Sequence, residues 1–207
     1  MKVLLLNGSA RKNGCTARAL KEVEEVLQQQ GIETEYIDVG DKTIRGCVAC
    51  GSCKKTGKCV FDDFVNELSK KFEQAEGLVV GTPVYYAGAS GTVIALLDRL
   101  FCSTPFDKTM KVGAAVLSSR RAGSTSALDE LNKYFAIENM PIAPSTYWNE
   151  VHGSVASDVD KDLEGLQTMR NLGRNVAFMI KSIQLGKEKF GLPQVERTAR
   201  TCFHDGL

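Results

Sequence analysis

The sequence predicts an α/β fold, a doubly wound five-stranded parallel sheet with helices on both faces. Three observations predict it. Five short apolar runs are spread along the first 146 residues. Amphipathic stretches with helical spacing alternate with them, which is the pattern of βαβ crossovers. Polar, glycine-bearing loops follow the runs, where sheets of this kind place their ligands.

The elements follow in order. "VLLLN" (3–7) is a buried strand. Leu20, Val23, Val26 and Leu27 then recur on one helical face, and Gly31 ends that helix. "ETEYIDV" (33–39) alternates as a strand nearer an edge, and a cysteine-rich loop follows over 45–60. A helix near 62–75 puts Phe64, Val65, Leu68 and Phe72 on one face. "GLVVGTP" (77–83) is a strand and "VIALLDRLF" (93–101) a helix; "KVGAAVLSS" (111–119) and "SALDELNKYF" (126–135) repeat the pair. "MPIAPST" (140–146) is a short last strand, weakened by Pro141 and Pro144. A long amphipathic helix over 163–183 ends near Gly186. One domain is expected over 1–190, with a tail over 191–207 that has no periodicity and is long enough to wrap a neighbouring subunit.

Composition narrows the function. The chain has 207 residues, 43% hydrophobic and 25% charged, which fits one globular domain with a sizeable core. Its net charge is +1, with no basic block, so nucleic acid and anionic membrane surfaces are poor partners. The opening "MKVLLLNGSA" has too short an apolar run for a signal peptide or a membrane span. A cytoplasmic location is expected, where thiols stay reduced, and the odd count of seven cysteines agrees.

The loop "NGSARKNGCT" (7–16) joins the first strand to the first helix. It offers Ser9, Arg11, Asn13, Gly14 and Thr16 around a helix N-terminus, whose free N–H groups and partial positive charge suit a phosphate. The dinucleotide fingerprint G-x-G-x-x-G and the G-K-[ST] of triphosphate loops are both absent, leaving a monophosphate held without Mg²⁺. Cys15 lies in the same loop, where a helix N-terminus favours a thiolate, and is read as a packing residue. "TPVYYAGASG" (82–91) supplies Pro83, Val84, Tyr85, Tyr86 and Gly88 for a flat ring. "SSRRAGS" (118–124) and "STYWNEVHG" (145–153) add polar, glycine and aromatic residues on the same edge. Together these loops describe a site for a flat aromatic mononucleotide.

"NGSARKNGCT", "GTPVYYAGASG", "SSRRAGST" and "YWNEVHG", in that order, resemble the flavodoxin-like NAD(P)H-dependent FMN reductase family. Within it, "CVACGSCKKTGKC" is similar to the compact cysteine motif of the iron–sulfur flavoproteins. The resemblance covers about residues 1–185 and implies a flavodoxin-type sheet, tightly held FMN, and homodimers or tetramers. It implies that Ser9, Arg11, Asn13 and Thr16, with Gly14 and Cys15 in the same loop, hold the FMN phosphate. Pro83, Val84, Tyr85, Tyr86 and Gly88 would line the isoalloxazine ring. Ser118, Arg120, Arg121, Gly123, Trp148, Asn149 and Gly153 would close the site.

The four cysteines Cys47, Cys50, Cys53 and Cys59 are spaced C-x2-C-x2-C-x5-C. Structural zinc pairs two knuckles a dozen or more residues apart. Three thiols at x2 intervals plus one more is the pattern of a [4Fe-4S] cubane. Bare thiols and zinc stand as alternatives. Cys102 and Cys202 carry no motif and are read as inert. The expected function is an NAD(P)H-dependent reduction of a free flavin, quinone or other small-molecule electron acceptor. Beside it stand an electron carrier in which ferredoxin feeds a [4Fe-4S] cluster and FMN, and a non-catalytic redox sensor.

Overall fold

The computed structural model describes residues 1–199 and 201, so the expectation for Cys202 and the last residues of the tail lie outside the described residues. Five strands form one parallel sheet: β1 (Lys2–Asn7), β2 (Glu33–Asp38), β3 (Gly77–Pro83), β4 (Val112–Ser119) and β5 (Glu150–His152). Their order across the sheet is β2-β1-β3-β4-β5. The order reverses direction at β1/β3, which opens a crevice at the carboxyl ends of these strands.

Strand alternation divides the core into two layers. Leu4, Leu6, Leu78, Val80, Ala115 and Leu117 face α3 (Phe64–Glu73), α4 (Gly91–Ser103) and α5 (Ser124–Ile137). Val3, Leu5, Val79, Ala114 and Val116 face α1 (Cys15–Gln29) and α7 (Leu163–Phe190). Both faces are covered, which is why the central strands read as unbroken apolar runs. Two short helices complete the fold, α2 (Ser52–Thr56) in the cysteine loop and α6 (Ala156–Val159) after β5.

Two boundaries differ from the sequence reading. The segment 140–146 is not a regular strand. Only Ile142 bridges Gly113, through Gly113 N–H to the Pro141 carbonyl (2.8 Å) and Ala143 N–H to the Gly113 carbonyl (2.9 Å). Pro141 and Pro144 lack the N–H groups that would continue a ladder. The chain leaves the edge there and rejoins it as β5, with Glu150, Val151 and His152 opposite Leu117, Ser118 and Ser119. The last helix runs through Gly186 and stops at Gly191, whose φ of 75° is left-handed. An interior glycine costs a helix about 1 kcal/mol relative to alanine but does not break it.

Candidate functional site

At the carboxyl edge the loops after β1, β3, β4 and β5 are tied to one another. Gly8 N–H donates to the Gly81 carbonyl (2.8 Å), and Val84 N–H to the Ser118 carbonyl (2.9 Å). Ser90 Oγ donates to the Gly8 carbonyl (3.1 Å) and its N–H to Thr82 Oγ1 (2.9 Å). Thr16 Oγ1 and Ser118 Oγ share a hydrogen bond of 2.8 Å. Gly153 N–H donates to the Ser119 carbonyl (3.0 Å), and Arg11 reaches the Ser154 carbonyl (3.4 Å). The structure therefore brings Ser9, Arg11, Thr16, Val84, Ser118 and Gly153 to one place.

The loop between β1 and α1 is shaped by its own hydrogen bonds. Asn7 Oδ1 accepts from Ser9 N–H (3.2 Å), Ser9 Oγ from Arg11 N–H (3.1 Å), and the Arg11 carbonyl from Gly14 N–H (3.0 Å). Gly14 is the N-cap of α1 and offers no side chain to it. The first helical bond joins Arg18 N–H to the Gly14 carbonyl, so the amides of Cys15, Thr16 and Ala17 start the helix without an intrahelical acceptor. No acidic residue sits in this first turn. Lys12 is neutralised by Asp41 (2.9 Å) and Arg18 by Glu22 and Asp160 (2.8 and 2.7 Å). Arg11 makes no ion pair among the described residues, and Asn13 lies beside it in the same loop. Burial pushes the Cys15 thiol pKa up, outweighing the helix-end backbone contact that lowers it, as suits a packing residue.

The loop after β3 is a tight turn. Tyr85 and Gly88 exchange both backbone hydrogen bonds at 3.0 Å, and Tyr86 and Ala87 between them are left-handed, with φ of 51° and 61°. Non-glycine residues held there store strain, which concentrates at functional sites. Glu130 on α5 anchors the turn by accepting from Ala89 N–H (2.8 Å). Gly123 is pressed against it: its φ is 96°, and a Cβ there would stand 2.9 Å from the Ala87 Cα. Tyr85 is half exposed, and Tyr86, Arg120 and Arg121 stand in solvent at the rim.

Trp148 and Asn149 are placed differently. They precede β5 and line a groove of about 420 Å³ along the sheet edge with Leu128, Asn132 and Ile142. The Asn149 side chain turns to the Ala143 carbonyl (3.4 Å). Two residues not foreseen from the sequence sit at the carboxyl edge instead. Ser119 Oγ is buried without a hydrogen-bond partner, an orphaned group at the end of β4. Glu150 is buried against the Ser124 hydroxyl, and burial raises its pKa.

The cysteine loop forms a second centre. Cys47, Cys50, Cys53 and Cys59 line one small cavity of about 30 Å³, and α4 adds Arg99, Cys102 and Ser103 to its wall. Cys102 is therefore not isolated. Burial first, then the nearby Cys47 and Cys53 sulfurs, push its thiol pKa up. The thiols share the cavity without converging: among the described residues no group of His, Cys, Asp or Glu is arranged to hold a metal ion as it stands. The donor set itself suits iron or zinc, and Ser103 Oγ is a buried, unpartnered atom in the same wall. Arg99 and Cys102 lie three apart on one helical face, and the adjacent charges Asp98 and Arg99 in the apolar "VIALLDRLF" are the one local hint of this wall.

The topology and the edge-of-sheet crevice define a flavodoxin-like α/β protein. The NADPH-dependent FMN reductase family matches over residues 1–154, and the chain belongs to that family. It is 35% identical over 195 residues to an iron-sulfur flavoprotein of Methanocaldococcus jannaschii, covering 89% of this chain and 100% of that one. An iron-sulfur flavoprotein of Methanosarcina thermophila is 28% identical over 193 residues, covering 91% and 100%. Among solved structures, RosB with a bound riboflavin-5'-phosphate intermediate superposes with a TM-score of 0.72 at 14% identity, over 97% of this chain and 92% of that one.

Proposed function

We propose that this chain is a flavoprotein oxidoreductase that holds FMN at the carboxyl edge of the sheet, takes electrons from NAD(P)H and reduces a small acceptor such as a free flavin or a quinone. The observation that carries the reading is the start of α1, where three amides, the Ser9 hydroxyl and Arg11, which makes no ion pair among the described residues, meet. In the Thr16–Ser118 pair one hydroxyl proton is used between the two residues, which leaves the other for a phosphate oxygen. Gly14, Cys15 and Asn13 supply backbone to the same cradle. Pro83, Val84, Tyr85, Tyr86 and Gly88 border the ring position, and Arg120, Arg121, Gly123 and Gly153 close it. When bound, FMN supplies the hydride chemistry; the protein binds it, orients it and limits water.

A second reading has its own observation, the cavity lined by four motif cysteines. There Cys47, Cys50, Cys53 and Cys59 hold a [4Fe-4S] cluster, and ferredoxin replaces NAD(P)H as the donor. Relatives named iron-sulfur flavoproteins at up to 35% identity support it. Assembly as a homodimer or tetramer belongs to both readings, as does a cytoplasmic location. Phe178 and Leu185, 71% and 66% exposed and seven residues apart on α7, support the assembly. Anaerobic mixing separates the readings. Bleaching of the flavin by NADPH or NADH supports the first, and bleaching by reduced ferredoxin alone supports the second. A flavin reduced by neither sinks both.

A further inference from the structure

Arg99 is 1% exposed, the most deeply buried charge among the described residues. A guanidinium cut off from water needs its charge and its N–H groups answered. Asp63 takes two hydrogen bonds, both 2.8 Å, and the Arg45 carbonyl a third at 3.2 Å. Phe61 covers one face, its ring centre 5.1 Å from the guanidinium carbon. The remaining edge aims its Nε–H at Cys59 Sγ, 3.2 Å away. A neutral thiol is a weak acceptor, whereas a thiolate answers a charged donor well.

Cys59 is also held by its backbone. Its N–H donates to Asn66 Oδ1 (2.9 Å) and its carbonyl accepts from Asn66 Nδ2 (3.1 Å). Cys47 and Cys50 contrast with it. Both are exposed, and the left-handed Ala49 and Gly51 (φ 53° and 69°) flank Cys50. One thiol of the four is set in place by the fold, and the residue that sets it comes from α4, outside the motif.

We propose that Arg99 is the positioning residue of the cysteine cavity: its Nε–H holds the Cys59 thiolate as the preset ligand of an iron–sulfur cluster and raises that cluster's reduction potential. The assignment rests on the cluster reading given above. Adding an electron makes a thiolate-bound cluster more negative, so a hydrogen bond to sulfur and a buried cation stabilise the reduced form. The full chain, as wild type and as Arg99→Lys, Arg99→Gln and Asp63→Asn, is loaded with FMN and reconstituted anaerobically with iron and sulfide. Iron, sulfide and FMN per chain and the midpoint potential are measured for each. Wild type is expected to hold about four iron and four sulfide. At matched iron content the Arg99 variants titrate at more negative potential, with Gln below Lys because Lys keeps the charge. Asp63→Asn shifts the other way, since it frees the Arg99 charge, and Asn still caps α3. If both Arg99 variants lose FMN through misfolding, Asp63→Asn decides alone. Wild type without iron overturns the cluster reading and this assignment with it. Wild type with iron, and variants that share its potential, overturns the role of Arg99 only.

Discussion

Arg11 meets only the Ser154 carbonyl and carries no carboxylate partner among the described residues, so its charge is free to face a phosphate. Arg11→Ala is expected to weaken FMN by about 1.5–3 kcal/mol and leave riboflavin binding unchanged; equilibrium titration of the apoprotein measures both. Glu150 tests a different property. Burial raises its pKa; the nearby His152 works against this and Asp162 works with it. A carboxyl with a raised folded pKa binds its proton more tightly in the native state. Its contribution to stability therefore falls as pH rises above the unfolded value of about 4.3 and levels off beyond the folded one. Glu150→Gln removes that fall while keeping an acceptor for Ser124. The difference in urea-melt stability between variant and wild type should grow in favour of the variant across that interval. A difference that stays flat with pH would contradict the burial account. Residues such as Glu150 and Arg99 escape a reading from sequence because their meaning lies in partners 26 to 54 positions away.

Among the elements, the turn after β3 and the start of α5 act as one unit through Gly123. Gly123→Ala puts a Cβ into the Ala87 backbone at a left-handed φ, so it should destabilise the fold by about 1–3 kcal/mol and loosen the 82–91 loop. Gly186 is the counterpart. It lies inside α7 with open space around it, and Gly186→Ala should stabilise by about 0.5–1 kcal/mol. Thermal melts of the two variants should move in opposite directions. Four strands and the five long helices were legible because their apolar periods are strong and both sheet faces are covered. The edge was harder to read. Pro141 and Pro144 announced that 140–146 is a poor strand, but nothing local to "NEVH" marked the three residues that pair with β4. Their β character comes from the exposed edge of β4, a tertiary partner that no local pattern carries. The same displacement moved Trp148 and Asn149 from the end of a strand to its approach.

At the scale of the molecule, α4 joins the two centres. Its first turn follows the loop after β3, and its last turns carry Arg99, Cys102 and Ser103. Nine helical steps separate Ser90 from Arg99, about 13 Å along the axis. The cysteine cavity thus lies toward the far end of α4 from the loop after β3. Sedimentation at micromolar concentration should show a dimer or larger assembly, and a monomer that retains FMN would count against it. No helix of the described residues is long and apolar enough to cross a membrane. In the proposed function the start of α1 holds the phosphate of FMN. Calorimetric titration of the apoprotein with FMN and with riboflavin, in chelator and without Mg²⁺, tests it most directly. FMN should bind at least about tenfold more tightly than riboflavin, a difference of about 1.4 kcal/mol or more. Equal affinity for the two would contradict the account.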